Sequence, residues 1–141
     1  MNRLLFLRGI PLFEGLLLDE LLAVDEALVL EDHLDGETIV REGDPGDRLY
    51  LIYQGEVALH VHGRSVAREV ARLGPGQYFG EMALFDMEPR SASAVAVGDA
   101  AMLTLARDRF TSLALQRPEI LFQICKVFSR RLREANARLE G

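Results

Sequence analysis

The chain has 141 residues, 49% of them apolar and 27% charged, with 22 acidic against 16 basic side chains and a net charge of −6. That is the size and make-up of one globular domain with room for a real core. The charge offers nothing to nucleic acid or to an anionic membrane surface. The longest apolar runs, around Leu4 to Leu7 and Leu16 to Leu18, are far too short to span a bilayer. The N-terminus lacks the clean apolar core and small-residue cleavage site of a signal peptide. Cys125 is the only cysteine, so no internal disulfide forms, which suits a reducing cytoplasm. Lys126 is the only lysine; an Arg-, Ala- and Leu-rich chain of this kind points to a GC-rich bacterial genome.

In chain order, residues 3–8 and 19–28 read as short helices around a turn at Gly9 to Pro11. Leu21, Leu22, Val24, Ala27 and Leu28 form the apolar stripe of the second. From Leu28 to Leu105 the pattern changes to short strands with punctuation. Asp35-Gly36 is a hairpin dipeptide, Glu37 to Arg41 a short strand, and Glu42 to Asp47 a tight glycine-rich turn. Strands follow at Arg48 to Tyr53 and Glu56 to His62, meeting near Gly55, then at Ala67 to Leu73, Ala92 to Val97 and Ala101 to Leu105. Regular short strands separated by Gly, Pro and Asp predict a mainly β fold, an antiparallel β-roll or jelly roll of about eight strands with flanking helices. The chain is then one domain, 1–141, with N-terminal helices at 1–28, the roll at 28–106 and C-terminal helices at 107–139. Asp108 is placed to cap a short helix that ends before Pro118. A longer helix runs from Pro118 or Glu119 to about Leu139. Its residues Leu121, Cys125, Phe128, Leu132, Ala135 and Leu139 are spaced alternately four and three apart, as in a helix–helix seam. Ile124 and Val127 widen this stripe, so one side of the helix can pack on its own roll and another on a partner. Cys125 on that apolar face reads as a buried thiol.

One segment carries the chemistry, Phe79 to Ala94. Gly80 and Glu81 open a single helical turn, Met82 to Phe85, followed by Pro89-Arg90 and small residues leading into a strand. Gly80 lets backbone approach a ligand closely, and the free N–H groups of a short turn face an anion. Arg90 supplies a planar fork for two phosphate oxygens. Glu81 would repel phosphate, so its sensible use is to accept hydrogen bonds from hydroxyls such as a ribose 2′-OH.

The segment resembles the phosphate-binding cassette of cyclic nucleotide-binding domains, the sensor type of catabolite activators and protein kinase A regulatory subunits. The stretch from Arg41 to Val57 and the Pro11-Leu12-Phe13 opening are similar to that family too, so the likeness covers roughly residues 11–139. The resemblance implies a regulatory sensor that binds a 3′,5′-cyclic nucleotide, cAMP ahead of cGMP, and transmits binding through its C-terminal helix without catalysis. It gives Glu81 the ribose 2′-OH, Arg90 the exocyclic phosphate oxygens, and backbone contacts to Gly80 and Ala83, with Met82 beside them. Ser91 falls where a hydroxyl touches phosphate or the guanine amino group. Likeness to the activator brings Leu59, Val70 and Leu73 near the base, against plain core packing for each. It also sets Ala135 and Asn136 near the base amino group and Arg131 near Glu81, against a solvent-facing Asn136. A homodimer through helix 119–139 is expected.

Other readings of the same residues differ in class. A degenerate module that only dimerises or docks would not need both Glu81 and Arg90. His60 and His62, with Glu69, resemble part of a metal-dependent cupin-type jelly-roll enzyme. Strand alternation argues against it, since Val57, Leu59 and Val61 take the core face and send Ala58, His60 and His62 to solvent. No metal is therefore expected. No nucleophile elbow or Walker loop is present, so the chain reads as a binder, not an enzyme. The RRLREANARL run reads as a solvated helix face. No helix-turn-helix and no membrane segment follow within 141 residues, so the chain is a stand-alone sensor or the sensor piece of something longer.

Overall fold

The computed structural model describes residues 2–63 and 66–140; Met1 and Gly141, the outer bounds of the expected domain, lie outside them. The chain forms two compact units, residues 28–110 and a helical unit made of both chain ends, 1–27 with 111–141.

The first unit is a six-stranded antiparallel sheet of β1 (Val29–His33), β2 (Thr38–Val40), β3 (Arg48–His62), β4 (Ala67–Leu73), β5 (Tyr78–Phe79) and β6 (Ser93–Ala106). The main path runs β1-β6-β3-β4, with β2 paired to β6 and β5 to β3. The roll is thus the expected one, and two of its strands are longer than expected. Arg48 to Tyr53 and Glu56 to His62 are one strand, because β3 absorbs Gly55 through register slips against β6 between Ile52 and Gln54 and between Gln54 and Glu56. The two C-terminal segments likewise join as β6 through Gly98. An irregularity in a ladder bends a strand without ending it, so the turn-like residues read as breaks became bends.

β3 and β6 are the most buried strands, and with Phe79 of β5 they carry a core of Tyr50, Ile52, Val57, Ala94, Ala96, Ala100 and Met102, with Ile39, Val40, Leu59 and Leu73 partly buried against it. Tyr50 and Phe79 stack with ring centroids 4.8 Å apart. Cutting such a core aromatic to alanine costs about 3–5 kcal/mol. Ala58 corrects the alternation argument, being 2% exposed rather than turned to solvent. It sits in register between Arg72 of β4 and Val95 of β6. Larger neighbours on its own face therefore cover a small side chain whichever way it points. The His60 residue is half-buried opposite Glu69, whose carboxylate is held by Arg72 at 2.8 Å, and His62 lies 3.5 Å from Glu42.

In the helical unit, α1 (Arg3–Arg8) is capped by Asn2, which accepts from the Leu4 amide at 2.8 Å. A 3₁₀ turn, Pro11–Phe13, leads to α2 (Leu18–Ala27), whose Glu20 reaches back to the Leu17 amide at 2.8 Å. α3 (Arg107–Gln116) begins in the first unit, directly after β6, which puts Asp108 in its first turn rather than at the cap, and its residues from 111 on belong to the helical unit. Pro118 opens α4 (Pro118–Glu140), a position where its missing N–H is no loss. Within this unit Arg117 binds Asp19 and Arg130 binds Glu14, each at 2.6 Å. Ile120, Ile124 and Val127 are the buried face of α4. Cys125 is one residue further round and is exposed, which corrects its expected burial. Leu132 and Leu139 of the same heptad row are 64% and 86% exposed. Among the described residues no helix is long and apolar enough to cross a membrane.

Candidate ligand site

The segment singled out by sequence folds as one 3₁₀ turn, Glu81–Leu84, with Gly80 ahead of it in the left-handed conformation at φ 80° and ψ 19°. The Ala83 amide donates to the Gly80 carbonyl at 3.1 Å and that of Phe85 to Met82 at 3.0 Å. Ala83, expected to offer its N–H to an anion, thus uses it to close the turn. The amides of Glu81 and Met82 precede that first closed bond, where helical N–H groups lack an intrahelical acceptor.

Arg90 is fixed from both ends. Its amide donates to the Asp44 carbonyl at 2.7 Å, and its own carbonyl accepts from Gly43 at 2.9 Å. Pro45 and Pro89 pair as an isolated bridge beside them. The guanidinium donates through Nη2 to the Arg48 carbonyl at 3.0 Å and lies 5.6 Å from the Tyr50 ring centroid, within cation–π range. It passes between two glycines. A Cβ on Gly80 would fall on Nη1 of Arg90, and one on Gly46 would stand 3.2 Å from its Nε. Gly80 is therefore required for the arginine as much as for any ligand, a reason the sequence alone does not disclose.

A cavity of about 390 Å³ opens here, within the roughly 300–1,000 Å³ usual for small-molecule sites. Val40, Leu59 and Phe79 supply apolar lining, joined by Gly46, by Gly80 to Ala83, by Asp86 and by Glu88 to Ala92. Arg90 is the one basic residue in that lining, against Glu81, Asp86 and Glu88. Burial lowers the Arg90 pKa from its ordinary value, with Tyr50 and Asp47 acting in the opposite sense. An arginine starts so high that it stays cationic at any physiological pH. Among the described residues no carboxylate lies within 4.0 Å of it. The nearby Arg48 takes Asp47 at 3.1 Å and Glu31 at 3.0 Å instead. Its hydrogen bond holds Asp47 below the ordinary carboxylate range. A half-buried, unpaired cation facing an apolar-walled cavity is a site for a small anion.

The family model of the cyclic nucleotide-binding domain matches residues 31–117. The chain belongs to that family. It is 41% identical over 140 residues to the cyclic AMP receptor protein of Thermus thermophilus, covering 95% of this chain and 62% of that protein. The N-terminal domain of a Streptomyces coelicolor transcriptional regulator superposes with a TM-score of 0.88 at 32% identity, over 94% of this chain and 95% of that one. The regulatory domain of Toxoplasma gondii PKA, solved with cAMP, gives 0.78 at 29%, over 93% and 48%. The chain spans about 62% of the length of the curated bacterial relatives it matches. This chain is a cyclic nucleotide-binding domain of the type these relatives contain.

Of the residues expected in this domain's site, Leu59, Gly80, Glu81, Met82, Ala83, Arg90 and Ser91 share the cavity wall. Glu81 lines the cavity and has no side-chain hydrogen-bond partner among the described residues. Val70 is 47% exposed on the edge strand β4, and Leu73 packs half-buried against the core; neither is in the cavity lining. Arg131 and Asn136 are on α4, in the helical unit. Gly46, Val40, Asp86 and Glu88 were not expected. Gly46 was legible only as a turn residue, since nothing in its neighbours says that the turn closes on Arg90.

Proposed function

We propose that this domain binds a 3′,5′-cyclic nucleotide, cAMP ahead of cGMP, as a regulatory signal. The observation that carries the reading is Arg90: a cation without a carboxylate partner, held by a backbone carbonyl in the wall of a cavity that Glu81 also lines. The Arg90 fork takes the exocyclic phosphate oxygens and Glu81 the ribose 2′-OH, while Leu59, Val40 and Phe79 supply an apolar bed for the rest. The Glu81 and Met82 amides add backbone donors and Ser91 a hydroxyl at the phosphate. The cAMP named for the Thermus and Toxoplasma relatives favours adenine over guanine. In this reading Val70 and Leu73 line the base pocket with Leu59, while the C-terminal helix acts as the lid that brings Asn136 to the base and Arg131 to Glu81.

The C-terminal helix transmits the signal and forms a homodimer seam through residues 119–139, which the exposed row of Cys125, Leu132 and Leu139 supports. A ligand moves such a helix only as far as its affinities for the two positions differ. Calorimetric titration tests the binding reading. Saturable binding of one cAMP per chain, tighter than cGMP, is the expected result, and absence of binding by both nucleotides overturns it. Sedimentation of the parent and of Leu132→Asp tests the seam, with loss of a dimer expected in the variant.

A further inference from the structure

Beside the cavity lies a second arginine that the binding reading does not use. Arg107 is the first residue of α3, half-buried, and its side chain makes no ion pair among the described residues. Its Nε donates to the Ala83 carbonyl at 2.8 Å and its Nη2 to the Gly46 carbonyl at 2.5 Å. Its backbone amide donates to the Asp47 carbonyl at 2.9 Å. Three donors of one residue thus hold two segments far apart in sequence, the Gly46-Asp47 turn and the 3₁₀ turn. Those are the segments between which Arg90 passes, for Gly46 and Gly80 line the two sides of its guanidinium.

We propose that Arg107 is the positioning residue of the anion site, a strut that sets the spacing between the Gly46 and Ala83 segments and so the place of Arg90. This rests on the reading of the cavity as a nucleotide site. The physical case is one of geometry. A guanidinium presents its N–H groups in a rigid plane, so binding two carbonyls from one fork fixes their separation and direction together. A lysine ammonium reaches one carbonyl or the other without that constraint. Hydrogen bonds from a charged donor are among the stronger kind. With Arg107 in place the slot for Arg90 is built before ligand arrives, and binding does not have to order it. Arg107 itself is not in the cavity lining and is not proposed to touch ligand.

The test uses Arg107→Met, which keeps an apolar stem and loses every side-chain donor, and Arg107→Lys. Calorimetry with cAMP reads affinity, and amide hydrogen exchange of the ligand-free proteins reads local opening. For Arg107→Met a loss of about 10- to 100-fold in affinity is expected, equivalent to about 1.4–2.8 kcal/mol, with Arg107→Lys between it and the parent. Without ligand, the amides of Gly43, Ala83 and Arg90 should lose protection while those of the β3–β6 ladder, Ile52 and Met102 among them, keep theirs. Unchanged affinity in Arg107→Met overturns the proposal. So does protection lost evenly across the sheet, which marks a general stabilising role. A parent protein that binds neither nucleotide defeats the functional reading alone. In that case the exchange pattern still decides the strut, since local loss supports it and even or absent loss rejects it.

Discussion

Two arginines near one another in this unit have opposite electrostatic fates. Arg48, on β3, is held by Asp47 and Glu31, and Glu31 in turn meets His33, which also pairs with Glu37. In that region Asp47, Glu31 and Glu37 each have a side-chain partner. Arg90 is given a backbone carbonyl, an aromatic face and two glycines, and no carboxylate. The lesson is that a binding cation is made by denying it a partner, and here the denial is done by backbone. A carbonyl orients the guanidinium without cancelling its charge, and Arg48 draws off Asp47, the carboxylate whose charge acts on Arg90.

The largest expected effect comes from removing the open charge. Arg90→Ala should cost about 2–5 kcal/mol of cyclic-nucleotide binding, with Arg90→Lys recovering only part of it, as titration of both variants will show. Thermal unfolding of the ligand-free variant should change little, because burial already disfavours that cation. Gly80→Ala comes next. The new Cβ lands on the guanidinium, and the left-handed backbone adds about 1–2 kcal/mol of strain. Affinity and thermal stability should therefore both fall. Glu81→Ala should weaken cAMP strongly and its 2′-deoxy analogue much less, a difference that a double-mutant cycle isolates; equal losses remove the ribose role.

The paired region should give the smallest effects. Arg48→Ala should change stability by about 1 kcal/mol or less, as exposed pairs do. It should lower affinity a few-fold, since Asp47 then acts on Arg90 undiluted. The pH dependence has a definite sign. The Asp47 pKa is lower in the folded than in the unfolded chain, so its pairing stabilises the fold above about pH 4. That contribution disappears as pH falls through the folded value. Acidification should therefore cost the parent more stability than it costs Asp47→Asn, and in Arg48→Ala the Asp47 titration followed by NMR should move up.

The contrast also explains what could be read in advance. Gly80, Glu81 and Arg90 sit within one short stretch whose residue types have few other joint uses, so the candidate site was legible from a single segment. The roll was legible from its punctuation, although Gly55 and Gly98 bend strands that the pattern reads as broken. Period says which way a side chain points and nothing about what covers it, so Ala58 and Cys125 came out on the other side of the burial line. Gly46, Arg107 and the pairing of Arg48 with Glu31 were out of reach, because each acts through residues distant in the chain and only the folded unit brings them together.

The central claim is that Arg90 is the free cation of a nucleotide site and Arg48 is not. The most direct measurement is a cAMP titration followed by nitrogen-15 NMR of the two arginine Nε–H groups, together with the backbone amides. A saturable shift of the Arg90 side chain and of the Gly80 to Ser91 amides is predicted, with the Arg48 side chain nearly still. Shifts confined to Arg48, or a saturable binding event that leaves Arg90 unmoved, would contradict the account.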